Sequence, residues 1–169
     1  MTSALPRRQF SAALAGLGLS LGSGMGWRSA HAQDNALPIP DALSEVAASA
    51  ARSGEPLVLM VSLHGCPYCD LVRRNYLLPL RAGGLPVWQI NMHDKRRPLI
   101  GFDGSSSTAA EQISRWKIRL APTVLFLGPQ GAELAQRLVG LSSEDFYGAY
   151  LDERITTARQ ALKALRPSR

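Results

Sequence analysis

Cysteine is scarce in this chain: two residues in 169, Cys66 and Cys69. Small exported folds held together by disulfides use several bridges, so a disulfide scaffold is excluded. Histidine is scarce too, at three residues, and only His64 and His93 lie beyond the N-terminal segment. Structural zinc asks for four ligands, usually from a second CxxC or a paired histidine, and neither is present. The only dense charged run is His93-Asp94-Lys95-Arg96-Arg97. Nucleic acid needs a broader basic face with base-reading or stacking partners, so this run reads as a solvated loop. Internal repeats and long low-complexity segments are absent.

The N-terminal residues 1–32 read as a cleavable signal peptide. Arg7-Arg8-Gln9-Phe10 precedes a weakly apolar stretch, Ser11 to Gly26, and Ala30-His31-Ala32 gives a small-x-small cleavage pattern. The paired arginines and the glycine-rich apolar region point to twin-arginine export, with a Sec signal as the alternative. The same glycines make the stretch a poor spanning helix, so no stable membrane insertion is expected after removal. Cleavage leaves 137 residues, enough for one domain, and lowers the net charge from +6 to +3, because the segment carries Arg7, Arg8 and Arg28 and no acid. The expected location is the bacterial periplasm.

Residues 33–40, with Pro38 and Pro40, read as an extended arm before a domain spanning 41–166. Asp41 is placed to cap a helix running to about Ser53, with Leu43, Val46, Ala47 and Ala50 at helical spacing. Pro56 to Leu63, PLVLMVSL, is a continuous apolar run and suits a strand covered on both faces. After His64-Gly65 a helix starts at Cys66-Pro67 and is stopped or bent by Pro79. Pro86 to His93 is a second strand. A loop with Gly101-Phe102-Asp103-Gly104 follows, then a short helix opened by Ser107 or Thr108, with Ile113 and Trp116 inward. Residues 121–140 read as a hairpin around Gly128-Pro129-Gln130-Gly131. Ser142 caps a last helix whose stripe is Phe146, Tyr150, Leu151, Ile155, Ala158 and Leu162. This order predicts an α/β domain with a mixed central sheet of four to five strands flanked by helices.

A CxxC bridge closes a very short loop and restrains the unfolded chain little; even fifteen residues give only roughly 3 kcal/mol. Reactivity explains Cys66 and Cys69 better than stapling does. Cys66 falls where a strand hands over to a helix, with the N–H groups of Tyr68 and Cys69 free to donate to its sulfur. A charge at such an end gains about 0.3–1 kcal/mol, up to about 2. Helical i,i+3 spacing brings the two sulfurs within disulfide reach. Cys66 then attacks a substrate disulfide and Cys69 resolves the mixed disulfide. A copper or zinc metallochaperone built on Cys66, Cys69, His64 and His93, with Met92 for soft copper, stays open as an alternative. So do a dithiol oxidase and a redox-inactive binding domain.

The chain resembles the thioredoxin superfamily over nearly all of its mature part. The resemblance rests on a strand before Cys66-Pro67-Tyr68-Cys69, on VWQINMHD as the next strand, on APTVLFLGPQG after a helix, and on RLVGLSSEDFYGAYL leading into the last helix. It implies a thioredoxin-like fold and a thiol–disulfide oxidoreductase with the Cys66–Cys69 disulfide as its redox centre and no other cofactor. Pro122 is implied as a cis proline beside the dithiol, and Ala121 as the residue whose backbone meets the substrate. Pro67 and Tyr68 tune the couple and shape the substrate surface. Protein disulfides are the implied substrates, with a membrane thiol protein as electron donor. The Phe102-Asp103-Gly104 loop and the exported context look most like periplasmic thioredoxin-like reductases of sulfur-oxidation and cytochrome-maturation systems. Two departures stand out: Met60 occupies the place of the family's buried acid, and Gly65 that of the tryptophan before the motif. His64 is a candidate for stabilising the Cys66 thiolate when charged.

Overall fold

The computed structural model describes residues 36–165. The leader, residues 33–35 of the arm and the last residue of the expected domain lie outside the described residues. The elements are α1 (Leu43–Arg52), β1 (Leu57–Ser62), α2 (Pro67–Val72), a π-helical turn (Arg73–Leu77), α3 (Leu78–Ala82), β2 (Val87–Asn91), β3 (Pro98–Ile100), β4 (Ser106–Thr108), α4 (Ala109–Arg115), β5 (Thr123–Leu127), β6 (Glu133–Val139) and α5 (Glu144–Ala164). Four strands form one sheet in the order β2-β1-β5-β6, with β1 parallel to β2 and antiparallel to β5. The fold is α/β with a mixed four-stranded sheet. Among the described residues, no helix is long and apolar enough to cross a membrane.

All six residues of β1 are buried, because the sheet carries a core on each side. Leu57, Leu59 and Val61 pack with Leu43, Ala47, Ile90, Ile113 and Leu125 toward α1 and α4. Val58 and Met60 pack with Cys69, Val72, Phe126, Tyr147 and Leu151 toward α2 and α5. A strand with two dry faces needs apolar residues at every position, which is why its sequence does not alternate. The arm closes the β2 edge: Gln89 N–H donates to the Pro38 carbonyl at 2.9 Å, and Leu37 is buried.

Several local expectations are corrected. Asp41 does not cap α1: its carboxylate pairs with Arg97 at 2.8 Å, and Ala42 is the N-cap, with no side-chain cap bond. Pro79 does not end the helix. The Leu78 N–H bonds five residues back, to the Arg73 carbonyl. This wider turn takes up the ring of Pro79, which in a straight α-helix collides with the carbonyl four residues earlier. The stretch from 98 to 108 is a two-stranded hairpin rather than a loop, with Leu99 opposite Ser107. Thr108 opens α4 in a full capping box with Glu111. On α5 the inward aromatic is Tyr147; Phe146 and Tyr150 are exposed. Ser143, not Ser142, is the α5 N-cap, and it makes no side-chain cap bond.

Candidate functional site: the Cys66–Cys69 dithiol

The buried β1 ends at Ser62, and the chain turns through His64 and Gly65 before α2 begins. Gly65 has φ +70°, a backbone state that side chains disfavour. This turn puts Cys66 at the N-cap, in extended backbone, with Pro67 as the first helical residue. Of the two donors expected for its sulfur, the Cys69 N–H is the one that reaches it, at 3.2 Å. Cys66 is half-buried, and Pro67 and Tyr68 stand out beside it, Tyr68 at 61% exposed. Cys69 is 0% exposed, in the core between the sheet and α5. The two cysteines are free thiols.

Their environments differ. Burial, first, and then the neighbouring Cys66 sulfur push the Cys69 thiol up to about 11. The Leu63 backbone and the Ser62 hydroxyl act in the opposite direction. One sulfur is therefore open to a partner while the other is held protonated and sealed at neutral pH. That is the division of labour a two-step exchange requires, since the thiolate is the nucleophile.

The Ala121–Pro122 peptide is cis. Val61 of β1 lies opposite Thr123 of β5, so the segments holding Cys66 and Pro122 leave the same end of the sheet. Cys66 and Ala121 pack against one core cluster. Ala121 is half-buried, and the Pro122 carbonyl accepts from Gly140 N–H at 2.7 Å. Cys66, Pro67, Tyr68, Cys69, Ala121 and Pro122 thus share one end of the sheet. His64 is exposed on the turn, and among the described residues its side chain makes no hydrogen bond or ion pair. His93 is exposed at the end of β2, with its N–H bonded to Asn91 Oδ1. Among the described residues, no group of three or more His, Cys, Asp and Glu side chains converges as a metal site. Met60 is fully buried beneath the dithiol. A concavity of about 640 Å³ lies elsewhere, between α1 and β2, lined by Glu45, Arg52, Arg81 and Trp88 among others.

Sequence reading misses two neighbours of the site, Arg73 and Ser62. Arg73 donates to Ser62 Oγ and to Gln89 Oε1, each at 2.9 Å, and pairs with Asp70 at 2.6 Å. The only sequence signal for this is the four-residue spacing from Cys69 to Arg73, which places both on one helix face.

A family model described as a thioredoxin-like domain matches residues 43–155. The chain belongs to this family. Its thioredoxin-like domain thus runs from α1 well into α5 and includes the whole dithiol segment. Among solved structures, it is similar to the periplasmic thioredoxin SoxS from Paracoccus pantotrophus in its reduced form. That match is 22% identical, covers 62% of this chain and 99% of that one, and has a TM-score of 0.40. A poplar thioredoxin h is 18% identical over 66% of this chain and 93% of its own, with a TM-score of 0.46. The DsbH oxidoreductase is 16% identical over 78% and 89%, with a TM-score of 0.47. No curated protein matches the chain. A thioredoxin-like domain with two cysteines spaced as CxxC at a helix start fits thiol–disulfide chemistry.

Proposed function

We propose that this protein is an exported thiol–disulfide oxidoreductase that reduces disulfides of periplasmic partner proteins. The observation that carries the reading is the asymmetry of the pair: an accessible Cys66 at the helix start, one turn from a sealed and protonated Cys69. The Cys66 thiolate attacks one sulfur of a substrate disulfide. A bond forms between Cys66 and that sulfur, and the other substrate sulfur leaves with the electron pair and takes a proton. Cys69 then loses its proton and attacks Cys66 Sγ, releasing the second substrate thiol and closing the Cys66–Cys69 disulfide. The substrate gains two electrons and the dithiol loses two. A membrane thiol protein returns them. The cis Pro122 segment, with Ala121 at the same end of the sheet, offers backbone to an extended substrate strand. Tyr68 and Pro67 form the exposed rim. The location rests on the leader, Arg7-Arg8 through Ala32.

The midpoint potential of the Cys66–Cys69 couple tests the direction. A value of about −270 mV fits a reductase, and one of about −120 mV overturns that direction in favour of an oxidant. Cys69→Ser, expressed with its leader, holds its substrate as a mixed disulfide in the periplasmic fraction. Capture only of cytoplasmic proteins contradicts export.

A further inference from the structure

Arg73 is a largely buried cation that reaches the end of β1 beside the dithiol turn, and the exchange steps above do not use it. Only 12% of its side chain is exposed. Nε is fixed by Gln89 on β2, Nη1 by the exposed Asp70, and Nη2 donates to Ser62 Oγ at 2.9 Å. Ser62 ends β1 and is buried, and its carbonyl is taken by the Met92 N–H. With its oxygen accepting from the guanidinium, the hydroxyl keeps its hydrogen for donation. A donor that itself accepts from a cation is polarised and donates more strongly. Ser62 follows Val58 and Met60 at alternate positions of β1, on the face that packs with Cys69, and from there its hydroxyl favours the ionised form of the Cys69 sulfur, as does the Leu63 backbone. The other titratable groups facing Cys69 are Cys66 on its own helix and Tyr147 from α5. Among the described residues no carboxylate takes this part, and the buried Met60 fills the strand position beneath.

We propose that Arg73, acting through the Ser62 hydroxyl, is the positioning residue that readies Cys69 to resolve the mixed disulfide. This rests on the oxidoreductase reading above. In the mixed disulfide Cys66 carries no charge, so its opposition to a Cys69 thiolate is gone. Burial is then countered by the Leu63 N–H and the Arg73-held Ser62 hydroxyl. Cys69 releases its proton to solvent, and its thiolate attacks Cys66 Sγ. The Cys66–Cys69 bond forms as the bond from Cys66 to the substrate sulfur breaks. The electron pair leaves on the substrate sulfur, which takes up a proton from solvent.

The test uses the full mature chain and Ellman's reagent. Cys66 is loaded as a thionitrobenzoate mixed disulfide at acid pH, and a pH jump starts its release by Cys69. Ser62→Ala removes the hydroxyl donor proposed for the thiolate and raises the midpoint of the release–pH profile by about one unit. The thiolate fraction at neutral pH falls about tenfold while its intrinsic nucleophilicity rises about threefold, so release slows about threefold. Arg73→Met shifts the profile the same way, Arg73→Lys recovers part of the shift, and Ser62→Ala with Arg73→Met equals Ser62→Ala alone. An unmoved midpoint in Arg73→Met, additive effects in the double variant, or a shift produced only by Tyr147→Phe overturns the inference. Equal slowing of loading and release in Arg73→Met also overturns it, since a merely structural role slows both. If the unaltered chain releases no thionitrobenzoate, the oxidoreductase reading itself fails; release with unshifted variants sinks this inference alone.

Discussion

Alkaline pH separates Cys69 from an ordinary thiol. Closing or opening the Cys66–Cys69 bond moves two electrons and, while both thiols are protonated, two protons. Each proton adds about 30 mV per pH unit to the pH dependence of a two-electron couple. Cys69 keeps its proton to about 11. The couple therefore retains a slope of at least about 30 mV per unit up to about pH 10. A solvated dithiol with both thiols near about 8.5 loses nearly all pH dependence by that point. Stability follows the same proton. The Cys69 value rises on folding from 9.0 to about 11. Below pH 9 both states hold the proton and the contribution is complete. As pH climbs from 9 to 11 the unfolded chain gives the proton up first, and the reduced protein loses about 2 kcal/mol. The oxidised protein has no thiol there and shows no such loss from this group. Equilibration in dithiothreitol buffers from neutral to about pH 10, with acid quenching and alkylation mass, reads the slope. Urea melts of both redox forms read the stability. A slope near zero at about pH 10, or parallel stability profiles, refutes the burial argument.

Three further outcomes are expected. Tyr147→Phe stabilises the domain by about 1 kcal/mol in urea melts, because the buried Tyr147 hydroxyl has no hydrogen-bond partner among the described residues; a loss of more than that shows a bond the structure does not contain. Gly131→Ala destabilises by about 2 kcal/mol or more, since its Cβ lies 2.5 Å from the Phe102 ring and φ is +83°; an unchanged melting temperature contradicts this. Thr108→Ala costs about 1 kcal/mol by removing the α4 capping box, and an unchanged urea midpoint is the opposing result.

What could be read from the sequence was what local chemistry dictates. The unbroken run from Pro56 to Leu63 announced a strand with two dry faces, and Gly128-Pro129-Gln130-Gly131 announced the β5–β6 hairpin. Cys66-Pro67 announced a helix start. The β3–β4 hairpin stayed hidden because strands of three residues are too short to show alternation. On α5, Phe146 with Tyr150 fits helical spacing as well as Tyr147 with Leu151 does. Packing decides between them: the Tyr147 ring lies 5.0 Å from that of Tyr76, while Phe146 is 60% exposed. At Pro79 the sequence leaves a stop and a bend both open, and the π turn that lets the helix continue is a feature of the folded chain. The dithiol was legible as a pair. Its surroundings were not, because the Arg73 partners lie 11 and 16 residues away on two strands.

Single-site replacement of each sulfur is the most direct probe of the mechanism. With a protein disulfide as substrate, Cys66→Ser abolishes reduction, while Cys69→Ser stops after one event with the substrate bonded to Cys66. Undiminished reduction by Cys66→Ser, or a mixed disulfide held at Cys69 instead, contradicts the assignment of attack to the exposed sulfur and of release to the buried one.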